Sequence, residues 1–279
     1  MKCPFCEHSA VVRFQRNDSF IWECSGEDCG LGFLNPQPTN EQLSTAYANL
    51  YYPDSRGKQG VSFENTPIEI LEQAFEYLAA RLGNLKGLEL LDYGCGKGRL
   101  CSLAGRRGMS VTGIEPSAAA RREARQSGIS VFGALEELIR SNPHTRFDMI
   151  TLWDVIEHLH FPWCDLHSLK KVLKPGGYLL VSTMNTRSLR ARLEGMKWEN
   201  YSNPTHTFFF NRHSLAAMIS RSGFSTTEEW VLPIRYAHHG FFRRLAHRFL
   251  VATSLNSEIV FVGTNNSTSD ESPVPDSFA

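Results

Sequence analysis

The chain predicts an α/β fold in which a mostly parallel sheet carries helices on both faces and a small cysteine-held ribbon precedes it. Three observations lead there. The apolar run Leu88 to Tyr93 enters a loop with Gly94, Gly96 and Gly98, and Leu100, Leu103 and Ala104 continue beyond it at helical spacing. A second short run, Val111-Thr112-Gly113-Ile114, ends in Glu115 at the distance expected for the next strand of a β-α-β unit. Two close cysteine pairs, Cys3 with Cys6 and Cys24 with Cys29, flank β-rich runs near the amino terminus.

At 279 residues the chain exceeds a usual single domain, so an α/β domain of about 200 residues with a small appendage is expected. The expected divisions are a ribbon over 1–34, a linker with helices over 35–84, the α/β domain over 85–263 and a disordered polar tail over 264–279. Lys plus Arg equals Asp plus Glu, 29 each, which argues against an extended basic surface for nucleic acid. No run approaches the roughly 18 apolar residues that cross a bilayer, and no signal-peptide stretch opens the chain, so a cytoplasmic protein is expected. In a reducing compartment, close cysteine pairs are more often metal ligands or redox groups than disulfides.

In the ribbon, Cys3-x-x-Cys6 is followed by Val11 to Phe14, by Asn17-Asp18, by Phe20 to Trp22 and then by Cys24 and Cys29. Two cysteine knuckles joined by a hairpin can supply four thiolates to a structural zinc ion, and a segment this short needs such a staple. Cys3, Cys6, Cys24 and Cys29 are therefore the expected ligands, with His8 left out; the alternative is unligated thiols in a loose tail. Cys95, Cys101 and Cys164 are expected to be small buried residues.

Asn35-Pro36-Gln37-Pro38 breaks the ribbon from a helix that Thr39 and Gln42 begin as a capping box, and Tyr47, Tyr51 and Tyr52 fall at its end. Ile68, Leu71, Phe75, Leu78 and Leu82 make one helical face that stops at Gly83. After Glu115 and Pro116, an alanine- and arginine-rich helix runs to Gln126, its charges expected on a solvated face. Ile129 to Phe132 is a strand, and a helix starts at Gly133 to Glu136. Phe147 to Leu152 is a strand with Trp153 and Asp154 at its carboxyl end, where ligands bind in open α/β sheets. Leu166, Leu169 and Leu173 mark a helix, and Lys174-Pro175-Gly176-Gly177 should turn into the strand Tyr178 to Ser182. A helix around Leu215, Met218 and Ile219 stops at Gly223, and strands are expected at Thr226 to Leu232 and Glu258 to Val262. The basic, aromatic segment 238–250 could be an amphipathic helix meeting a membrane or an apolar substrate, but packing on its own domain is favoured.

The glycine loop reads Asp-x-Gly-x-Gly-x-Gly, with Asp92 ahead of it. An acid there repels a pyrophosphate and suits a ligand with an amine and a sulfonium, while Glu115 can accept two hydrogen bonds from a ribose diol. The bland alternative is a tight turn in an ordinary α/β domain. At these residues the sequence resembles the class I S-adenosylmethionine-dependent methyltransferases, whose fold is Rossmann-like. Phe147 to Asp154, Val155-Ile156-Glu157-His158 and Leu173 to Gly177 fit in order, so the resemblance covers about 85–185. It implies that Asp92, Gly94, Cys95, Gly96 and Gly98 wrap the methionine part of S-adenosylmethionine and that Glu115 holds its ribose; Trp153 and Asp154, at the carboxyl end of their strand, are expected to bind the cofactor too. Where many members place an Asp for the adenine amine, this chain has Ala134 and Leu135. The Pro-x-Pro-Thr break and tyrosine-rich helix are similar to a subgroup acting on small molecules, in which 35–84 would cover the cofactor; the aromatics could equally pack on the domain.

Methyl transfer from a sulfonium is an in-line displacement that depends on holding donor and acceptor close. If the acceptor is a hydroxyl, His158 and His206 are candidate bases, His206 being expected as the more exposed to substrate. Asp154-x-x-Glu157-His158 also resembles ubiquinone-pathway O-methyltransferases, some of which hold a divalent ion there; the alternative is an anchor for the turn. The expected function is methylation of a small-molecule hydroxyl, with no DNA partner. An RNA-base methyltransferase is disfavoured by neutral charge and by the lack of an Asn-Pro-Pro-Tyr-type motif, and a non-catalytic binding protein by the intact Asp92, Gly94, Gly96 and Glu115.

Overall fold

The computed structural model describes residues 1–51, 66–230, 249, 253 and 255–266. Three strands open the chain: β1 (Ala10–Arg16), β2 (Ser19–Cys24) and β3 (Gly32–Asn35). Helix α1 (Asn40–Tyr51) starts at the expected capping box, with the Thr39 N–H donating to Gln42 Oε1 (2.8 Å) and the Gln42 N–H to Thr39 Oγ1 (3.2 Å). Helix α2 (Ile68–Leu82) ends at Gly83 as its periodicity predicts.

The α/β region then alternates as β4 (Glu89–Tyr93), α3 (Arg99–Arg106), β5 (Ser110–Ile114), α4 (Ala118–Gln126), β6 (Ser130–Phe132), α5 (Leu135–Ser141), β7 (Phe147–Trp153), α6 (Pro162–Val172) and β8 (Leu173–Met184). The chain closes with α7 (Leu189–Glu194), α8 (Glu199–Ser202), β9 (Phe208–Phe209), α9 (Arg212–Arg221), β10 (Thr226–Glu229) and β11 (Glu258–Thr264). A seven-stranded sheet has the order β10-β11-β8-β7-β4-β5-β6, parallel from β8 to β6 with β11 and β10 antiparallel at one edge.

The two-residue period of the strands divides the core. Leu91, Ile150, Leu152, Leu179 and Val181 face α5, α6 and α9 through Leu135, Leu166, Leu169, Leu215 and Ile219. The intervening Leu90, Met149 and Leu180 face α2 and α3 through Leu71, Phe75, Leu78, Leu100 and Leu103. Covered on both faces, these strands read as continuous apolar runs.

Several features depart from the expectation. Lys174 to Gly177 lies within the bounds of β8, where the register with β7 jumps from Leu173 opposite Phe147 to Tyr178 opposite Met149 and Gly176 takes a positive φ, so the expected turn residues form an irregularity in the strand. Cys164 is exposed, on the solvent side of α6, whereas Cys95 and Cys101 are buried as expected. The last strand reaches Thr264, and Asn265 is buried with its side-chain amide donating to Leu173 O (2.8 Å), so order extends into the segment read as tail. The ribbon is not isolated: β3 pairs with β9, giving a four-stranded antiparallel sheet β1-β2-β3-β9. Phe5, Leu31 and Phe33 share the α5–α6–α9 side of the core, and Asn211 Nδ2 donates to Gly30 O (2.7 Å) while its carbonyl oxygen caps α9. Among the described residues no helix is long and apolar enough to cross a membrane. The segment 238–250, apart from Phe249, lies outside the described residues.

Candidate functional site

Beyond β4 the chain folds back on β5: the N–H groups of Gly94 and Cys95 both donate to Ile114 O (2.7 and 3.0 Å). Gly94 and Gly98 have positive φ, and a Cβ there would sit 2.4 Å from Val155 Cγ2 and 2.2 Å from Ile129 Cδ1 respectively, so a larger residue would force the loop open. The Gly96 N–H donates to Glu115 Oε2 (3.0 Å) and the Ser117 N–H to Glu115 Oε1 (2.7 Å), which fixes this carboxylate beside the loop. Burial raises the Glu115 pKa, against those two donors and Arg121. Arg121 and Arg125 are more than a solvated face: they donate to Glu115 O (2.7 Å) and Val131 O (2.6 Å), tying α4 to the strand ends.

Asp92 is 3 % exposed and accepts from Thr151 Oγ1 (2.7 Å) and the Cys101 thiol (3.4 Å). Among the described residues no cation joins it there, and burial pushes its pKa up to about 6. The Cys95 side chain turns into a small core with Cys101, Ala124 and Val131, leaving only its backbone to the loop. Asp154, with φ of 53°, accepts from Ser182 Oγ (3.1 Å) and Thr66 Oγ1 (3.4 Å). Buried Thr66 also accepts from Trp153 Nε1 (3.2 Å) and, through its carbonyl, from Arg99, so the residue just before α2 ties the end of β7 to the start of α3. No sequence motif marked Thr66.

The structure brings Glu157, His158 and His206 together, with their candidate ligand atoms within 4.8 Å of one another. The rings of His158 and His206 meet edge-on at 4.7 Å, and Tyr47 of α1 packs on His158 at 5.5 Å. The expectation that His206 is exposed to substrate is overturned: it is 4 % exposed, its Nδ1 lies 3.0 Å from Asn200 O and its Nε2 3.0 Å from Asn203 Nδ2. Nδ1 is therefore the donor and Nε2 the acceptor. Burial, then the neighbouring His158, hold its pKa well below the usual value. His158 Nδ1 lies 3.1 Å from Thr205 O, and burial lowers its pKa to about 4. Glu157 accepts from Thr183 Oγ1 (2.9 Å), and burial, then the neighbouring Asp154, hold its pKa well above the usual carboxylate value. A metal at this group would have to displace a hydrogen bond from His206, and Asp154 faces Ser182 and Thr66 instead.

Sequence reasoning missed Arg16. This buried guanidinium at the end of β1 donates to Asn203 O (2.7 Å) and His206 O (2.9 Å), and it fastens the ribbon to the histidine loop. In the ribbon itself, the sulfurs of Cys3, Cys6, Cys24 and Cys29 lie within 4.8 Å of one another, with Cys6 and Cys24 3.4 Å apart. Four thiolates around zinc stand about 3.8 Å apart, given Zn–S bonds of about 2.3 Å, so the donor set fits that ion.

Residues 65–229 match the family described as a methyltransferase domain. Over 117 residues the chain is 38% identical to a ubiquinone biosynthesis O-methyltransferase of Alkalilimnicola ehrlichii, covering 39% of this chain and 47% of that protein. Over 142 residues it is 34% identical to the protein of that name from Bradyrhizobium sp., covering 47% and 56%. The chain thus spans about half the length of the curated relatives it matches. In fold it is similar to the 1,6-didemethyltoxoflavin-N1-methyltransferase of Burkholderia thailandensis, solved with 1,6-didemethyltoxoflavin and S-adenosylhomocysteine (TM-score 0.56, 14% identity, 92% of this chain and 100% of that one). It is also similar to the magnesium protoporphyrin IX methyltransferase of Synechocystis PCC 6803 with bound SAM (TM-score 0.51, 16% identity, 83% and 99%).

Proposed function

The chain belongs to the methyltransferase-domain family, and we propose that it transfers a methyl group from S-adenosylmethionine to a hydroxyl of a small molecule. The observation that carries this reading is the pairing of Glu115 with the glycine loop, an acid held by two backbone N–H groups beside a buried Asp92. In this reading Asp92, Gly94, Gly96 and Gly98, with the backbone of Cys95, hold the methionine part, Glu115 the ribose diol, and Trp153 and Asp154 the border toward the acceptor. Bound there, the sulfonium supplies an electrophilic methyl carbon.

The hydroxyl acceptor is carried over from relatives whose name is O-methyltransferase. A hydroxyl sheds a proton as it is methylated, and His158 is the group we assign to take it. Its imidazole is neutral throughout the neutral range, and Nδ1 at Thr205 O leaves Nε2 as its acceptor nitrogen. His206, enclosed between Asn200 and Asn203, becomes a positioning residue that fixes the His158 ring edge-on. The thiols of Cys3, Cys6, Cys24 and Cys29 hold a structural zinc in this reading, and no step is routed through a metal at Glu157.

The test offers phenols, alcohols and amines as acceptors with a methyl-labelled donor. Label on a phenol or alcohol is the expected result, and label on amines alone would overturn the hydroxyl assignment. With an acceptor in hand, His158→Ala should lower turnover by about 10² to 10⁴ with S-adenosylhomocysteine affinity retained. Normal turnover would leave proximity as the sole contribution.

A further inference from the structure

Two contacts join the strand that opens the glycine loop to the segment that carries His158. Tyr93, the last residue of β4, sends its ring into the core shared with α5 and α6, and its hydroxyl donates to Asp165 Oδ1 in the first turn of α6 at 2.6 Å. That is the length expected of a hydroxyl on a carboxylate. Gly94, the next residue, lies so close to Val155 that a Cβ there would sit 2.4 Å from Val155 Cγ2. The short turn Ile156–His158 starts from Val155, and the His158 N–H donates back to Val155 O (2.9 Å).

Residues 155–165 are thus fixed at both ends to the strand and loop assigned to the cofactor, with His158 between the fixed points. Their other side meets the histidine loop: the Thr207 N–H donates to Glu157 O (2.9 Å), Thr207 Oγ1 donates to Leu159 O (3.0 Å), and His158 Nδ1 lies 3.1 Å from Thr205 O. Of the two contacts on the cofactor side, only the Tyr93 hydroxyl is directional. Burial, then the charge of Asp165, raise the Tyr93 pKa, so the hydroxyl keeps the proton that it donates. Asp165 is half-buried, and burial raises its pKa against that hydrogen bond. Among the described residues Tyr93 is the one side-chain donor to this carboxyl, and removing the hydroxyl strands a half-buried acceptor.

We propose that Tyr93 is a positioning residue for methyl transfer: through Asp165 it fixes residues 155–165 against the cofactor loop and so sets where His158 Nε2 stands relative to the bound donor. The proposal rests on the methyl-transfer reading in naming His158 as the base; that Tyr93 and Asp165 hold this segment stands on the contacts alone.

Amide hydrogen exchange of the full-length, zinc-replete protein tests the tie without any acceptor. In Tyr93→Phe, which keeps the ring and lacks the hydroxyl, the amides of His158 and Leu159 should exchange at least about tenfold faster than in wild type, on the scale of a charge-assisted hydrogen bond. The amides of β5 and β8 should keep their rates, which shows that the variant is folded. Asp165→Leu should match Tyr93→Phe, and Asp165→Asn, which retains an acceptor oxygen, should stay near wild type. Tyr93→Phe/Asp165→Leu should exchange no faster than either single variant, since both changes remove one shared interaction. S-adenosylhomocysteine affinity should be the same in all of them. With the phenol or alcohol that takes label, Tyr93→Phe should lower kcat by about tenfold or more, because a small misplacement of a reacting group is costly, while the KM for S-adenosylmethionine holds and Asp165→Asn keeps its turnover. Wild-type exchange in Tyr93→Phe, or additive effects in the double variant, would overturn the proposal. So would an unchanged kcat in a variant whose exchange has risen, since the pair would then serve the fold alone. Failure of S-adenosylhomocysteine to bind the wild type, with exchange raised in Tyr93→Phe, would remove the cofactor reading and leave the tie between Tyr93 and the His158 segment standing.

Discussion

Replacing Asp92 with Asn should stabilise the protein without ligand and weaken its hold on the cofactor. Burial raises the Asp92 pKa from 3.8 to about 6, with Thr151 and Cys101 opposing the shift. Because the folded value is the higher one, Asp92 favours folding below pH 3.8, where it is protonated in both states. That contribution is lost as pH rises from 3.8 to about 6 and stays lost above. The loss amounts to about 3 kcal/mol at about 1.4 kcal/mol per pH unit, and at 3 % exposure solvent screens little of it. Asn has the same shape, keeps the oxygen that accepts from Thr151 Oγ1 and turns its NH₂ toward the Cys101 sulfur. Chemical denaturation from pH 3.5 to 8 should show the two proteins equal near pH 3.5. Asp92→Asn should be about 2 to 3 kcal/mol more stable at pH 7.5, about 5 to 10 °C in Tm for a domain of this size. S-adenosylhomocysteine should recover much of the difference in the wild type and little in the variant. A variant no more stable than wild type at pH 7.5 refutes the burial argument, and unchanged S-adenosylhomocysteine affinity refutes the assignment of Asp92 to the site.

Glu115→Ala should weaken S-adenosylhomocysteine binding by about 1 to 3 kcal/mol, the scale of charge-assisted hydrogen bonds to a buried diol; equal affinity by calorimetry removes the ribose assignment. Elemental analysis should find one zinc per chain in protein purified without added metal, and Cys24→Ser/Cys29→Ser should lose it; metal-free wild type would remove the ion from the ribbon. Arg16→Met should cost about 2 to 4 kcal/mol in denaturant unfolding, because it strands the buried carbonyls of Asn203 and His206; a neutral result would mean that water replaces the guanidinium.

The parallel half of the fold was legible because its strands are buried on both faces and so read as apolar runs, and because each glycine loop falls where a strand meets a helix. Strand β9 was not. Phe208-Phe209-Phe210 has no alternation, and its pairing with β3 joins Phe33 to Phe208, a distance in sequence that local pattern cannot encode. The Lys174 to Gly177 stretch carries turn residues and bends the chain where the register with β7 shifts, but the strand begins before it, at Leu173 opposite Phe147, which local pattern did not show. Asp92 and Glu115 could be picked out because each ends a strand. Thr66 and Arg16 could not, because their importance lies in partners distant in sequence, and one Thr or Arg in a polar stretch carries no signal. The misreading of His206 has the same origin: Asn-Pro-Thr suggests an exposed loop, but Arg16 and the ring of His158 enclose it.

These long-range contacts tie the ribbon to the histidine loop as well as to the fold. Its β1 ends in Arg16, whose guanidinium holds the backbone of Asn203 and His206; its β3 adds β9, directly after that loop; and its Gly30 carbonyl takes the side-chain amide that also caps α9. The glycine loop, by contrast, rests on β5, α3 and Val155, none of them ribbon residues. Loosening the four-cysteine knuckle therefore reaches His206, and through it His158, before it reaches Asp92 or Glu115. It follows that zinc depletion should raise the KM for the acceptor at concentrations where S-adenosylhomocysteine still binds normally. A parallel loss of both would mean that ribbon and α/β domain unfold as one unit.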